Sequence, residues 1–231
     1  MTEAARGPLA PCGLMAIHAR VLFRHDRHGR IRLVNESPFP PAPRLFVGLT
    51  RAGAVVRWRE AADRQLAEAA AALLGADESH LEDLLRLLGP AAASAPVWIG
   101  PAFVFPCVGG APEAGVVRIT RQNAALLAAH FPFTRSTWRQ HEPCVARVVD
   151  GRAIAVCMSA RHTRRAAEAS LHTLEAFRGH GHGAAVARAW ARALQAEGRL
   201  ALYSTSAHNV ASQGVARSLG LHAYGIDVHA G

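Results

Sequence analysis

Cysteine is scarce in this sequence and is spread along it. The 231 residues include four cysteines, at positions 12, 107, 144 and 157, and no two of them form a CxxC pair. The first residues also lack the basic and apolar segments of a secretory signal peptide. These two absences favour a cytoplasmic protein with reduced thiols over a secreted scaffold held by disulfides.

Long apolar runs are absent as well. None approaches the roughly 20 residues that a membrane-spanning helix requires. Half of the residues are hydrophobic and 19% are charged, a composition typical of globular rather than disordered proteins. The sequence therefore predicts a soluble protein without a membrane partner, long enough for one large domain or two small ones.

Acidic residues are the minority among the charges. Asp and Glu number 17 against 26 Lys and Arg, which gives a formal net charge of +9. Such a balance suits a polyanionic partner, either a phosphorylated cofactor or nucleic acid. Because the basic residues never form a run, a nucleic-acid surface is the weaker interpretation, and no nucleic-acid partner is expected.

The N-terminal half is predicted to be a small α+β region. Residues 1–15 are predicted to be a loose terminus. The predicted elements are a hairpin over residues 20–34 turning at Gly29, a hairpin over residues 45–58, a helix over residues 60–74 ended by Gly75, a helix over residues 81–88 between Ser79 and Gly89, and an edge or irregular segment over residues 96–108. Glycine and proline accumulate at residues 108–115, which marks the predicted boundary between domains 1–110 and 111–231.

The C-terminal half is predicted to be a mixed α/β sandwich of the α+β class rather than a regular βαβ winding. Residues 144–159 predict a hairpin, because Asp150-Gly151 suits a type I′ turn. The other predicted elements are a short helix over residues 123–129, a loop over 131–138, a strand over 169–174, a helix that ends at Gly198, a strand over 200–206, a helix over 209–219 and a strand over 221–228.

A glycine-rich turn joins the predicted strand over 169–174 to the helix that follows it. Gly179, Gly181 and Gly183 leave the backbone bare, so N–H groups can approach a ligand without a Cβ in the way. The first turn of the helix adds N–H donors that have no intrahelical partner and the positive end of a dipole. The turn therefore predicts an anion site, most naturally for phosphate.

Other glycine motifs fit this turn less well. The pattern Gly179-x-Gly181-x-x-Ala184 satisfies the dinucleotide fingerprint, but only 48 residues follow Gly183, too few for a doubly wound nucleotide fold. No Gly-Lys-Ser/Thr follows the glycines, which excludes a P-loop. His172, His180 and His182 are more typical of solvated loop histidines than of metal ligands, so no metal is expected. A purely structural strand-to-helix turn remains an alternative.

Residues 178–183 resemble the signature of the GNAT superfamily of acyl-CoA N-acyltransferases, Arg/Gln-x-x-Gly-x-Gly/Ala. A second signature follows in the right order: a strand ending at Tyr203-Ser-Thr-Ser206, then Asn209-x-x-Ser212, then Ser218-Leu-Gly-Leu221. The resemblance covers about residues 120–231 and implies a central twisted mixed sheet flanked by helices. The first 110 residues resemble no family.

The resemblance implies acetyl-CoA as the acyl donor and co-substrate. In this family the strand before the turn splays from its neighbour, and the pantetheine arm inserts there like an added strand. The donor-binding residues that the resemblance implies are Leu171, His172 and Thr173 for pantetheine, Arg178, Gly179, His180, Gly181, His182, Gly183 and Ala184 for the pyrophosphate, and Asn209 and Ser212 on the other side of pantetheine.

The implied reaction is direct attack of a primary amine on the thioester, which needs a general base. Glu168 is the first candidate base, and an ion pair of Glu168 with Arg164 or Arg165 is the alternative. His172 shares a strand face with Glu168 and is the second candidate.

The tyrosine that this family often uses as general acid is replaced by Ala216. Ser212, Tyr203 or Tyr224 is then the candidate acid, unless the protein needs no such acid or binds acyl-CoA without fast turnover.

Three function classes are open at this point. The first is an N-acetyltransferase acting on a small metabolite, an antibiotic, or a peptide or protein amine, with a polyamine disfavoured by the basic balance. The second is a non-catalytic acyl-CoA sensor, and the third is a nucleic-acid-associated protein argued from charge alone. The N-terminal region could bind the acceptor, be a degenerate second copy of the fold, or form an oligomerisation surface, with a homodimer among the options.

Overall fold

The computed structural model describes residues 9–74 and 97–231, together with Asp83 and Arg86. These residues divide into two compact units. The first unit comprises the chain up to Ala102 with Thr205–His208 and Ala223–Gly231, and the second comprises Phe103–Ser204 and Asn209–His222. The fold is α+β, as predicted. The domains 1–110 and 111–231 remain a prediction, and the compact units divide the chain differently, since the last strand joins the first unit.

The elements are numbered in chain order. They are α1 (Pro11–Leu22), β1 (Phe23–His25), β2 (Ile31–Val34), β3 (Leu45–Thr50), β4 (Gly53–Trp58), α2 (Arg64–Leu74), β5 (Trp98–Val104), β6 (Val116–Arg118), α3 (Pro132–Thr137), β7 (Cys144–Val149), β8 (Arg152–His162), β9 (Ala166–Thr173), α4 (His182–Ala196), β10 (Leu200–Ser204), α5 (Val210–Ser218) and β11 (His222–Ala230). Short 3₁₀ turns lie at Ala61–Asp63, Ala124–Leu127, Trp138–His141 and Glu175–Phe177.

The strands of the first unit run in the order β4-β3-β11-β5. Helix α2 packs against one face of these strands through Ala67 and Ala70. On the other face, Met15 of α1 lies directly over Gly48, where an added Cβ would collide with the methionine side chain. The close approach of α1 therefore requires glycine at position 48.

The predicted loose terminus over residues 1–15 and the strand beginning at residue 20 are wrong in the described part, because α1 occupies Pro11–Leu22. Proline is favoured in a first helical turn, and Met15 is fully buried, so packing stabilises the helix.

Both predicted hairpins are confirmed, with the first shortened to β1 and β2. Of the predicted helix over 81–88, Asp83 and Arg86 are described and are helical. Its remaining residues lie outside the described part, as do Gly75, Ser79, Gly89 and residue 96.

The strands of the second unit run in the order β10-β9-β8-β7-β6. Strands β6 to β9 pair antiparallel, whereas β9 and β10 pair parallel. The turn between β7 and β8 has positive φ at Asp150 (47°) and at Gly151 (71°). This conformation confirms the predicted type I′ hairpin.

Helices cover both faces of the second unit's strands. On one face, Val186, Trp190 and Leu194 of α4 belong to a buried cluster with residues of β7 to β10. On the other face, Leu127, Phe131 and Trp138 pack with residues of β7 and β8. The loop predicted over residues 131–138 is therefore wrong, because Pro132 begins helix α3 and a 3₁₀ turn follows it.

Candidate functional site

The parallel pairing of β9 with β10 ends early. Three residue pairs are formed, of which Glu168 with Leu202 is the last. Strand β9 continues beyond Glu168 to Thr173, still paired with β8 on its other edge. We call the gap between residues 169–173 of β9 and residues 203–204 of β10 the strand notch. Its β9 side presents backbone donors and acceptors that no strand of the described residues takes up on that edge.

A β-bulge in β8 lies opposite the start of the strand notch. The register between β8 and β9 shifts between Ser159 and Arg161, so that Ser159 pairs with Ala169 and Arg161 pairs with Glu168. The hydroxyl of Ser159 accepts a hydrogen bond from the Trp190 indole N–H at 3.2 Å. The bulge therefore directs Ser159 toward α4 and Arg161 toward Glu168, which is how bulges commonly redirect side chains.

Glu168 is a buried carboxylate, with 5% of the residue exposed. The Ser204 hydroxyl donates a hydrogen bond to its Oε1. The guanidinium Nη1 of Arg161 lies 3.5 Å from its Oε2. The charge partner seen for Glu168 is thus Arg161 rather than the Arg164 or Arg165 considered from the sequence, because the bulge brings Arg161 opposite Glu168.

The phenol of Tyr203 and the hydroxyl of Ser212 are 2.6 Å apart. Burial raises the pKa of Tyr203 above its usual value, and the hydrogen bond with Ser212 offsets part of that shift. The Asn209 side chain caps α5 by accepting from the Ser212 backbone N–H at 3.0 Å. Because neighbouring strand residues point to opposite faces, Tyr203 and Ser204 lie on opposite sides of β10. The strand notch therefore has a phenol on one face of the sheet and a carboxylate on the other.

The glycine turn has the backbone conformation that its sequence predicts. Gly179 and Gly181 have φ of +79° and +76°, a region that other residues rarely adopt. Gly181 is the N-cap of α4, and no side chain of the described residues caps that helix start. The N–H groups of the first helical turn therefore point away from the helix without an intrahelical acceptor. Together with the helix dipole they form a site suited to an anion.

Gly183 has a different role from the other two glycines. Its φ is not positive, but an added Cβ would lie 3.2 Å from Thr173 Oγ1 and 3.6 Å from a Leu171 methyl carbon. The missing side chain lets α4 pack closely on the end of β9. This contact places the start of α4 next to the β9 edge of the strand notch.

The side chains of the turn are polar or basic, and two of them make contacts within it. Arg178 Nε donates to the Thr173 carbonyl at 3.3 Å, which ties the turn to β9. The His180 and His182 rings stack with their centroids 6.2 Å apart. Burial and the nearby charges of Arg147 and His180 lower the pKa of His182 below its usual value. His182 is therefore neutral at neutral pH, and Arg178 supplies a permanent positive charge.

The predicted site residues come together within the second unit. Leu171, His172 and Thr173 form the β9 edge of the strand notch, and residues 178–184 form the turn and the first helical residues. Asn209 and Ser212 lie at the start of α5, beside Tyr203. No group of three or more His, Cys, Asp or Glu side chains within residues 9–74 and 97–231 is arranged to hold a metal ion.

Two polar residues of the site were missed from the sequence. Ser204 was seen only as part of a hydroxyl-rich strand end, and Arg161 had no signal, because its contact depends on a bulge. Of the three candidate acids, Tyr224 belongs to the first unit, where its hydroxyl lies 2.9 Å from His18 Nδ1. Tyr203 and Ser212 are the two that share a unit with Glu168.

Residues 119–221 match the family model described as the acetyltransferase (GNAT) family. The match includes both sequence signatures and every residue of the strand notch. Residues 119–221 therefore form a domain of the GNAT acetyltransferase type. No curated protein sequence matches it significantly.

Solved GNAT structures are among those that resemble this chain. A GNAT-family protein from Novosphingobium aromaticivorans is 21% identical, with a TM-score of 0.50 over 58% of this chain and 63% of that one. The aligned region thus spans less than two thirds of that protein. Two others are an acetyltransferase of the GNAT family from Colwellia psychrerythraea (12% identity, TM-score 0.49, 80% of this chain and 81% of that one) and a GCN5-related N-acetyltransferase from Kribbella flavida (18% identity, TM-score 0.48, 98% and 96%).

The two signatures within this match border the strand notch, the first between β9 and α4 and the second on β10 and α5. Among the helices that the structure describes, none combines the length and the apolar character needed to cross a membrane.

Proposed function

We propose that this GNAT protein is an acyl-CoA-dependent N-acetyltransferase that transfers an acetyl group from acetyl-CoA to a primary amine. The observation that carries the proposal is the strand notch, which ends at the buried Glu168 and has the glycine turn beyond its β9 edge. An extended ligand that carries amide groups and ends in phosphates fits such a notch, because it can pair with the strand edge and reach the anion site.

The donor would be held mainly by backbone groups. Pantetheine would pair with Leu171, His172 and Thr173 along the β9 edge. The pyrophosphate would accept hydrogen bonds from the N–H groups of residues 178–184, with Arg178 adding a charge. Asn209 already caps α5, so its side chain would act on the donor chiefly by fixing Ser212. We therefore assign the specificity for the donor to main-chain geometry more than to side chains.

The chemistry follows from the two faces of the strand notch. Glu168 accepts a proton from the acceptor's ammonium group, which frees the nitrogen lone pair for attack. The amine nitrogen bonds to the thioester carbonyl carbon, the carbon–sulfur bond breaks, and the nitrogen loses its second proton to water, from which the Tyr203 phenolate is protonated again after it has donated. Tyr203, whose raised pKa keeps it protonated, donates to the departing thiolate, with Ser212 as its hydrogen-bond partner. The products are an N-acetyl amide and free CoA.

The acceptor is a primary amine of a small metabolite, an antibiotic, or a peptide or protein. A polyamine is disfavoured, because the chain carries a formal net charge of +9 and would repel a polycation on approach. We place the reaction in the cytoplasm, where acetyl-CoA is available and cysteines stay reduced.

The direct test is whether acetyl-CoA binds and whether amines release CoA from it. We expect acetyl-CoA to raise the melting temperature, by mass action on the folded state, and one class of amines to release CoA thiol. Because Cys107 is exposed, thiol detection should be run in a Cys107→Ser background. No rise in melting temperature would refute the proposed function.

A second candidate function is a non-catalytic acyl-CoA sensor. Ala216 favours it, since this buried alanine stands at the position of the family's usual acid. A normal rise in melting temperature combined with no thiol release from any amine class would identify the sensor instead of the enzyme.

A further inference from the structure

The two carboxylate oxygens of Glu168 are held by side chains from two different strands. The Ser204 hydroxyl of β10 donates to Oε1, and Arg161 of β8 lies 3.5 Å from Oε2. Glu168 belongs to β9, which lies between β8 and β10. The carboxylate is thus fixed from both sides at the last residue before the strand notch opens.

We propose that Ser204 and Arg161 are positioning residues, which keep Glu168 ionised and aimed at the point where β9 and β10 separate. The catalytic part of this proposal rests on the proposed function, whereas the structural part concerns the carboxylate itself. Neither residue would touch the reacting atoms. Each would act through Glu168.

Burial makes such support necessary. Glu168 is 5% exposed, and an ionised carboxylate removed from water is strongly disfavoured unless donors or cations replace its hydration. A hydroxyl donor and a guanidinium are the two kinds of group that favour the charged form. Each of these two contacts therefore favours the ionised carboxylate, which is the form that can take a proton from an amine.

The two partners also fix direction. A glutamate side chain has three rotatable bonds, and a bond to only one oxygen would leave the second free to swing. The Ser204 contact comes from the strand across the notch, so it keeps Oε1 on the β10 side. The β8 bulge keeps Arg161 opposite Glu168, since in a regular pairing Ala160 would lie opposite Glu168 and Arg161 would point to the other face of the sheet.

The charge of Arg161 has a second consequence for its surroundings. Its side chain is 26% exposed, so it is more accessible than Glu168, which is 7% exposed by the same side-chain measure. Because the positive charge of Arg161 lies close to the negative charge of Glu168, the two charges largely cancel each other in the surrounding solvent. We therefore expect the carboxylate to act locally, through contact with an amine, and to attract cations from solution only weakly.

The experiment follows the titration of the Glu168 carboxyl by carbon-13 NMR on the full chain, with the signal assigned by its loss in Glu168→Gln. We expect Ser204→Ala to raise the midpoint of that titration by about one to two pH units, because a donor to the ionised form is lost. Ser204→Thr keeps a hydroxyl and suits a strand, so the midpoint should return close to the wild-type value.

Arg161→Gln provides an independent arm, and Arg164→Gln is its matched control. Both changes remove one positive charge from the same part of the chain, but Arg164 is exposed and does not pair with Glu168 in the strand register. We expect Arg161→Gln to raise the midpoint and Arg164→Gln to leave it nearly unchanged. Equal shifts in the two variants would overturn the assignment of Arg161, and an unchanged midpoint in a folded Ser204→Ala variant would overturn that of Ser204.

The catalytic readout is the pH profile of kcat/KM. We expect Ser204→Ala to move the acid limb to higher pH by the same amount as the titration, with the KM for acetyl-CoA unchanged and activity restored in Ser204→Thr. The NMR arm needs neither donor nor acceptor. A normal shift there with no activity in any variant would therefore count against the acetyltransferase and in favour of the positioning, so the two failures are distinguishable.

Discussion

The Tyr203 phenol and the Ser212 hydroxyl lie 2.6 Å apart and join β10 to the start of α5. This pair connects the strand that borders the notch with the helix that carries the second signature. Ser212 lies one helical turn before Ala216, the position where the family usually has its acid. Strand β10 thus has a tyrosine hydroxyl at Tyr203, whereas helix α5 has alanine at the position of the family's tyrosine.

We expect Tyr203→Phe to lower kcat about tenfold or more, because the departing thiolate loses its proton donor. The binding of acetyl-CoA should change little, since the phenyl ring keeps its packing against Phe105. Because burial raises the pKa of Tyr203, the phenol stays protonated through neutral pH, and activity should fall only when the pH exceeds the usual tyrosine range. Steady-state kinetics across pH and a donor titration give both quantities.

Ser212→Ala is the matched test of the hydroxyl partner. We expect a smaller fall in kcat than in Tyr203→Phe, because the phenol remains while only its hydrogen bond is lost. Equal activity of wild type and Tyr203→Phe would show that the thiolate leaves without this acid.

Glu168 and His172 are competing candidates for the general base, and their environments differ. Glu168 is buried at the last paired residue, whereas His172 is exposed four residues further along β9. We expect Glu168→Gln to reduce kcat/KM by about 10²-fold or more and His172→Gln to leave most activity. The opposite ranking in initial-rate measurements would assign the proton transfer to His172.

Gly181→Trp should abolish the rise in melting temperature that acetyl-CoA causes, because the new side chain would cover the N–H groups at the start of α4. The matched control is Gly198→Trp at the other end of the same helix, where φ is +70° and the surrounding space is equally open. Both variants impose similar backbone strain. An acetyl-CoA response retained in Gly181→Trp would exclude the turn as the phosphate site, and a loss only in Gly181→Trp would support it.

His182 should make donor binding depend on pH. Its pKa is lowered in the free protein by burial, Arg147 and His180, so the ring is neutral at neutral pH and becomes charged only below its usual range. Adjacent phosphates would raise that pKa, and the ring would then take up a proton on binding. Affinity for acetyl-CoA should therefore increase as the pH falls below about 6.5, by about two- to fivefold for one partly screened charge.

The His182→Asn variant isolates this effect. Titration of the donor's own phosphate is common to both proteins, so the difference in their pH dependence reports the imidazole. His222→Asn, which changes an exposed histidine at the start of β11, is the control. Parallel binding curves for wild type and His182→Asn across pH, measured by calorimetry at constant salt, would rule out the proton uptake.

Local patterns predicted most of the second unit. Asp150-Gly151 predicted one hairpin, and the alternating side chains of β9 predicted which residues share a face. Gly179 and Gly181 predicted the start of α4. Each of these features depends on neighbours within a few residues, which is the range over which backbone preferences act. The two family signatures lie on the same local elements, so they too could be recognised from the sequence.

The errors came from contacts between distant residues. The segment from Pro11 to Leu22 carries apolar residues that suit a strand as well as a helix, and its packing over Gly48 decides between them. The partners of Glu168 depend on the β8 bulge and on the parallel register with β10, neither of which leaves a local mark. Tertiary contacts override local preference at these positions.

The short parallel pairing of β9 and β10 also bears on aggregation. Exposed strand edges invite the strands of other molecules, and proteins usually guard them with charges, prolines or cover. Here the open edge lies between two strands of one sheet rather than at its margin. A strand that already has neighbours on both sides in its own sheet is poorly suited to pairing at such an interior edge, so this edge invites strand addition from other molecules less than a free sheet margin would.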